Sequence, residues 1–183
     1  LVTISPTAFR NQIAALAKAG WRGAGLAEVE AFLRGEKLPP KTCVITFDDG
    51  YLDNFVHAHP VLAEFGMTAV LFVVTAWLGD GPVRSSGAPT PDHTDCKKRI
   101  ARGEPDSVML RWSEIEAMRT AGTFEFHSHT HTHTRWDREI ADSTARQAAL
   151  AADLESSRKA LVERLGTCSR PLCWPRGYYA EAP

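Results

Sequence analysis

Two short stretches hold the residue types that carry hydrolytic or metal chemistry. The first, Thr46-Phe47-Asp48-Asp49-Gly50-Tyr51, follows the apolar run Cys43-Val44-Ile45. It sets two adjacent carboxylates where a buried strand should run out into a loop, and carboxylates are rarely left at such a place without a partner. Successive strand side chains point to opposite faces, so one carboxylate could hold a metal while the other handles protons. The plainer alternative is an Asp-Asp-Gly turn. The second stretch, His127-Ser128-His129-Thr130-His131-Thr132-His133, contains four of the chain's seven histidines. Neutral imidazole is the commonest metal-binding side chain. On a helical turn, His127/His131 or His129/His133 would share a face and could share one ion; on a strand, all four would line one face. The alternative is a solvent-exposed polar loop. Taken with Asp48 and Asp49, this density favours a divalent-cation site.

Together the two stretches resemble the polysaccharide deacetylase family, also called the NodB-homology domain or carbohydrate esterase family four. Its Thr-Phe-Asp-Asp-Gly motif is matched by residues 46–50, and its Ser-His-Thr-x-x-His motif by Ser128 to His133. The resemblance covers roughly residues 40–180. It implies a distorted (β/α) barrel, incomplete in this chain. It also implies Asp49, His129 and His133 as metal ligands, with His127/His131 as the other register, and Asp48 as general base. Two neutral imidazoles and one carboxylate leave positions open for water and substrate, as a catalytic zinc site requires. Zinc is the first choice, and cobalt, nickel or manganese suit the same donors.

A third family motif, Arg-x-Pro-Tyr-Gly, overlays imperfectly on Cys173-Trp174-Pro175-Arg176-Gly177. Pro175 and Gly177 match. Cys173 stands where the family usually has an Arg that steadies the base. Arg176 stands where a Tyr usually offers its backbone N–H to the oxyanion, a donor any residue but Pro retains. Tyr51, Trp174, Pro175, Gly177 and Tyr178 are the expected substrate contacts. The family's general-acid His is expected beyond Pro183. The activity implied is metal-dependent removal of N-acetyl groups from a sugar of a cell-envelope or extracellular polysaccharide, releasing acetate. A non-catalytic glycan-binding relative that keeps the fold and the metal is the alternative. The departure at Cys173 favours that alternative, and retention of both Asp48 and Asp49 speaks against it. A hydrolase acting on another amide or ester is a third reading.

Composition narrows the classes. The 183 residues are 44% hydrophobic and 23% charged, with a formal net charge of −1. These values suit one globular domain and supply no basic field for nucleic acid. No apolar run reaches the length of a membrane span. No nucleic acid and no transmembrane segment are expected, and the resemblance implies an N-acetylated glycan as the partner. The compartment stays open between a bacterial cytoplasm and the periplasm or cell envelope. Cys43, Cys96, Cys168 and Cys173 lack paired metal spacing and read as free thiols.

The elements that must position these groups alternate between strand and helix, which argues for α/β with a parallel sheet. Ser5-Pro6 caps a helix through Phe9, Ile13 and Leu16 to Gly20, and a second spans Leu26 to Leu33. After the Leu38-Pro39-Pro40 linker comes a strand, Thr42–Phe47. Asp53 to Phe65 reads as a helix that Pro60 bends or restarts. Met67 to Val74 reads as a buried strand. Residues 75–107, rich in Gly and Pro, read as a long loop or insertion, with Trp77 a candidate sugar platform. Ser113 should cap the next helix, with Glu116 at its third position. Thr123 to Phe126 should be a strand delivering the histidines. Arg138 to Leu165 reads as one long helix with a Leu150, Leu154, Leu161, Leu165 stripe. Pro171 to Trp174 closes the pattern as a strand.

Overall fold

The computed structural model describes residues 3–177. Helix α1 (Pro6–Lys18) starts where expected, with the Ser5 hydroxyl accepting the Ala8 N–H at 3.2 Å and Pro6 in the first turn. Phe9 and Ile13 are its buried residues. Strand β1 (Arg22–Gly23) and helix α2 (Leu26–Leu33) follow. The expected strand Thr42–Phe47 is two strands, β2 (Thr42–Cys43) and β3 (Thr46–Asp49). The chain changes neighbours between them: the Cys43 carbonyl accepts from Ala24, and the Ile45 carbonyl from Val70. Strand β3 also runs two residues further than expected, through both aspartates.

Asn54–Ala58 winds as a π-helix before α3 (His59–Phe65). Pro60 lies in the first turn of α3 and has no N–H to continue the preceding ladder, so the helix restarts there as expected. Strand β4 (Ala69–Val73) is buried throughout. The stretch 75–107 is not simply a loop. It contains a 3₁₀ turn at Thr75–Trp77, helix α4 (His93–Ala101) and another 3₁₀ turn at Pro105–Ser107. Asp92 caps α4, accepting from Thr94 and Asp95 at 2.8 and 2.9 Å. The surrounding Gly and Pro conceal this cap in the sequence.

Helix α5 (Trp112–Thr120) begins one residue before Ser113. Its first turn is closed by Glu114, whose carboxylate accepts the Arg111 N–H at 2.9 Å, and the Ser113 hydroxyl donates instead to the Gly81 carbonyl at 2.8 Å. Strand β5 (Phe124–Ser128) extends to the edge of the histidine cluster. The expected long helix is broken into α6 (Trp136–Glu139) and α7 (Ser143–Leu165), because Asp142 caps the second piece by accepting the Ala145 N–H at 2.8 Å. The buried positions of α7 are Asp153, Ser157 and Leu161. Leu150, Leu154 and Leu165 are only half-buried, so the helix is rotated from the expected leucine stripe. Leu172 makes a single parallel bridge to Ser128 rather than a strand.

Strands β3, β4 and β5 form a parallel sheet in that order, and β1 pairs parallel with β2. This is the expected α/β class. Helices α1, α3, α5 and α7 cover one face, where Phe9, Leu62, Ile115 and Leu161 share a core with Leu71 of β4 and Phe124 of β5. Leu26 of α2 packs on Val70 and Phe72 of the other face. The register pairs Asp49 with Val73 and Val73 with Ser128. All three strands therefore end level, and their carboxyl ends present Asp49 and the histidine loop together, as parallel sheets do for their sites. The four cysteines are free. Among the described residues no helix is long and apolar enough to cross a membrane.

Candidate metal centre

The backbone at these strand ends is unusual. Asp49 (φ 71°), Thr130 (69°), His133 (61°) and Arg176 (60°) all adopt left-handed conformations, and Lys41 is the one other non-glycine among the described residues to do so. Such conformations cost about 1–3 kcal/mol each and concentrate where a side chain must be aimed. Gly50 follows Asp49 at φ +90°, where a Cβ would come within 3.1 Å of Val73 Cγ1. A glycine is therefore required for the turn to close against β4.

Three side chains converge there. His129 Nε2 lies 3.4 Å and His133 Nε2 3.5 Å from Asp49 Oδ1. One ligand atom from each falls within 4.8 Å of the others. His129 is only 2% exposed, and its Nδ1 sits 2.8 Å from the Cys173 carbonyl oxygen. A carbonyl can only accept, so Nδ1 carries the proton and the Nε2 lone pair faces Asp49. Asp49 Oδ1 is buried and has no hydrogen-bond partner. A buried carboxylate oxygen set against an imidazole lone pair is unfavourable unless a cation lies between them. This donor set fits a divalent ion, with one carboxylate, two imidazoles and room for further ligands. Burial lowers the His133 pKa against the pull of Asp49 and Asp48, and the Arg176 charge adds to the lowering. Its imidazole is thereby kept neutral, the form that ligates.

The loop carrying His129 and His133 is pinned from below. The Asp153 carboxylate accepts from the His131 N–H at 2.9 Å, the Thr132 N–H at 3.1 Å and the Thr132 hydroxyl at 2.6 Å. Ser157 pairs its hydroxyl with that of Ser128 at 2.8 Å. The His133 N–H donates to the Thr130 hydroxyl at 3.1 Å. Trp77 packs its ring 5.3 Å from that of His133, so it walls a histidine of the cluster. Sequence reasoning missed Asp153 and Ser157 because a leucine pattern on the same helix drew attention away. A signal was present, since Asp153, Ser157 and Leu161 share the i, i+4, i+8 spacing of one face.

The other register does not assemble. His127 bonds Ser169 Oγ at 2.6 Å through Nδ1 and faces Glu125. His131 bonds Thr75 Oγ1 at 2.9 Å. Asp48 is exposed and stands with Cys173 and His129, their ligand atoms within 4.8 Å of one another. Burial and the neighbouring Asp48 push the Cys173 thiol up to about 11. Trp174 is half-buried, Pro175 is buried, and the Gly177 N–H donates to the Trp174 carbonyl at 2.9 Å. Arg176 is exposed, and its charge reaches His133. Tyr51 rests its ring 5.0 Å from His93 of α4, and burial ahead of the Asp49 charge raises its phenol pKa. Tyr178 lies outside the described residues.

The carboxyl ends of this parallel sheet thus bring together a carboxylate and two histidines that could hold a metal ion. The chain belongs to the polysaccharide deacetylase family, whose model matches residues 35–182. It is 35% identical over 78 residues, 42% of this chain, to the poly-β-1,6-N-acetyl-D-glucosamine N-deacetylase of Escherichia coli (strain K12). Over 53 residues, 28% of this chain, it is 45% identical to YxkH of Bacillus subtilis (strain 168). The chain spans 12% and 19% of the lengths of those two relatives. Among solved structures, IcaB from Ammonifex degensii superposes with a TM-score of 0.70 at 26% identity, covering 97% of this chain and 69% of that one. The Streptococcus pyogenes deacetylase PplD shares the fold, with a TM-score of 0.73 at 20% identity over 97% of this chain and 66% of that one.

Proposed function

We propose that this protein is a metal-dependent hydrolase that removes N-acetyl groups from an N-acetylated polysaccharide. The observation that carries this reading is the buried, unpartnered Asp49 Oδ1 facing the Nε2 atoms of His129 and His133. A divalent cation held by these three residues, zinc first among those that suit the donors, would acidify water and polarise the acetamide carbonyl. The protein's own groups do the rest. Asp48, exposed at the same strand end, takes the proton of the attacking water as general base. The backbone N–H of Arg176 donates to the developing oxyanion. The hydrogen bond from His129 Nδ1 to the Cys173 carbonyl keeps that imidazole oriented and in one tautomer.

Trp174, Pro175 and Gly177, neighbours of Arg176 in the chain, and Tyr51, next to Gly50, are the substrate contacts in this reading. Poly-β-1,6-N-acetylglucosamine is the glycan to try first, because the 35%-identical Escherichia coli protein is named for it. The test is acetate and amine release from N-acetylglucosamine oligomers by zinc-loaded wild type beside Asp48→Asn. Loss of a general base is expected to cost about 10²- to 10⁴-fold in turnover, at unchanged zinc content. Equal turnover in the two proteins would remove Asp48 from the mechanism. A fully zinc-loaded wild type that releases nothing would favour the glycan-binding alternative.

A further inference from the structure

A second set of donors overlaps the first. Asp48, His129 and Cys173 bring a carboxylate oxygen, an imidazole nitrogen and a thiol sulfur within 4.8 Å of one another. His129 Nδ1 is committed to the Cys173 carbonyl at 2.8 Å, so the donor it has left is Nε2, the atom that also faces Asp49. The imidazole is 2% exposed, whereas Asp48 is exposed and Cys173 half-buried. The trio is thus anchored on a rigid buried ring and open to solvent on its other side. Sulfur gives it the soft donor that the Asp49 set lacks, and soft donors select zinc and its heavier congeners. One imidazole nitrogen offers one lone pair, so an ion on Asp48 and Cys173 competes with an ion on Asp49 and His133.

We propose that Asp48, His129 and Cys173 form a second, overlapping cation site that takes a thiophilic divalent ion, zinc in excess or cadmium. Filling it withdraws Asp48 and His129 from the deacetylation centre and so switches that centre off. On binding, a sulfur–metal bond forms and the thiol proton leaves to solvent. The cation site stands on the geometry alone, and its inhibitory effect rests on the deacetylase reading.

Cadmium titration of the full chain, followed through the ultraviolet thiolate-to-metal charge-transfer band, tests the site. Wild type is expected to develop the band. Cys173→Ser and Cys173→Ala, each checked for a native circular dichroism spectrum, are expected to lack it. Cys43→Ser and Cys168→Ser are expected to keep it. A band that survives in both Cys173 variants, or cadmium bound by wild type without a band, overturns the site. In zinc, the quantity to compare is turnover at excess metal divided by turnover at one equivalent, taken within each protein. It is expected to fall more than about tenfold in wild type, the low end of what one supporting group is worth to a metal site, and to stay near unity in Cys173→Ser. Equal ratios in the two proteins refute the switch. Absence of turnover at every zinc level counts against the deacetylase reading instead, and the cadmium band then decides the cation site by itself.

Discussion

Asp153 is where the ligand loop is most directly open to attack from behind. Asp153 is 5% exposed, and its carboxylate accepts three hydrogen bonds from His131 and Thr132, two of the three residues between His129 and His133. Bonds to a charged acceptor are worth about 1.5–3 kcal/mol each. Three bonds to one group are not additive, and the buried carboxylate pays several kcal/mol of desolvation. Thr132 is exposed, so water recovers part of what its amide loses. The balance puts Asp153→Ala at about 3 kcal/mol, measured as a shift of the urea midpoint at constant slope. Asp153→Asn keeps one carbonyl oxygen and should lose about half as much. Zinc affinity, read by calorimetry, should fall about 10- to 100-fold in Asp153→Ala, because the anchored amides flank both histidines. Stability within about 0.5 kcal/mol of wild type, together with unaltered zinc affinity, would refute the idea that Asp153 holds this loop.

Two other sites give independent tests of the fold. Burial alone would raise the Glu114 carboxyl, but hydrogen bonds from the Arg84 side chain and from the Arg111 and Arg84 amides outweigh it and hold its pKa below the ordinary value. A lowered folded pKa means that the stabilisation is complete above the unfolded value of about 4.3 and is lost as pH falls through the folded one. Glu114→Gln should therefore cost about 3 kcal/mol near neutrality, with a gap to wild type that narrows below about pH 4; a gap independent of pH would show that ionisation plays no part. At Gly23, an added Cβ would lie 2.0 Å from the Thr68 carbonyl oxygen. Gly23→Ala should thus cost about 1–3 kcal/mol by overpacking, and a thermal midpoint equal to wild type would show that β1 can move away.

Much of this arrangement was legible in the residues themselves. The Asp48-Asp49-Gly50 run had to close a strand, and the β-branched run before Val74 had to be buried, so both landed at the sheet. The histidine register was not legible from spacing, because His127/His131 and His129/His133 are equally separated. What separates the pairs is tertiary. Ser169 and Thr75 engage the first pair, while the Cys173 carbonyl orients His129. Helix α4 was hidden because Gly and Pro on both sides masked the Asp92 cap. The break before α7 was hidden because Asp142 sits inside an otherwise helical composition. The rotation of α7 depends on Ser128 and the histidine loop offering polar partners to Ser157 and Asp153, and no local pattern encodes that.

In the mechanism proposed above, Asp49, His129 and His133 together hold one divalent ion. Zinc stoichiometry by native mass spectrometry, on wild type and four single variants, addresses it most directly. Wild type should carry one equivalent, His127→Ala and His131→Ala should keep it, and His129→Ala and His133→Ala should lose it. Retention of zinc in the last two, or its loss in the first two, would contradict the account.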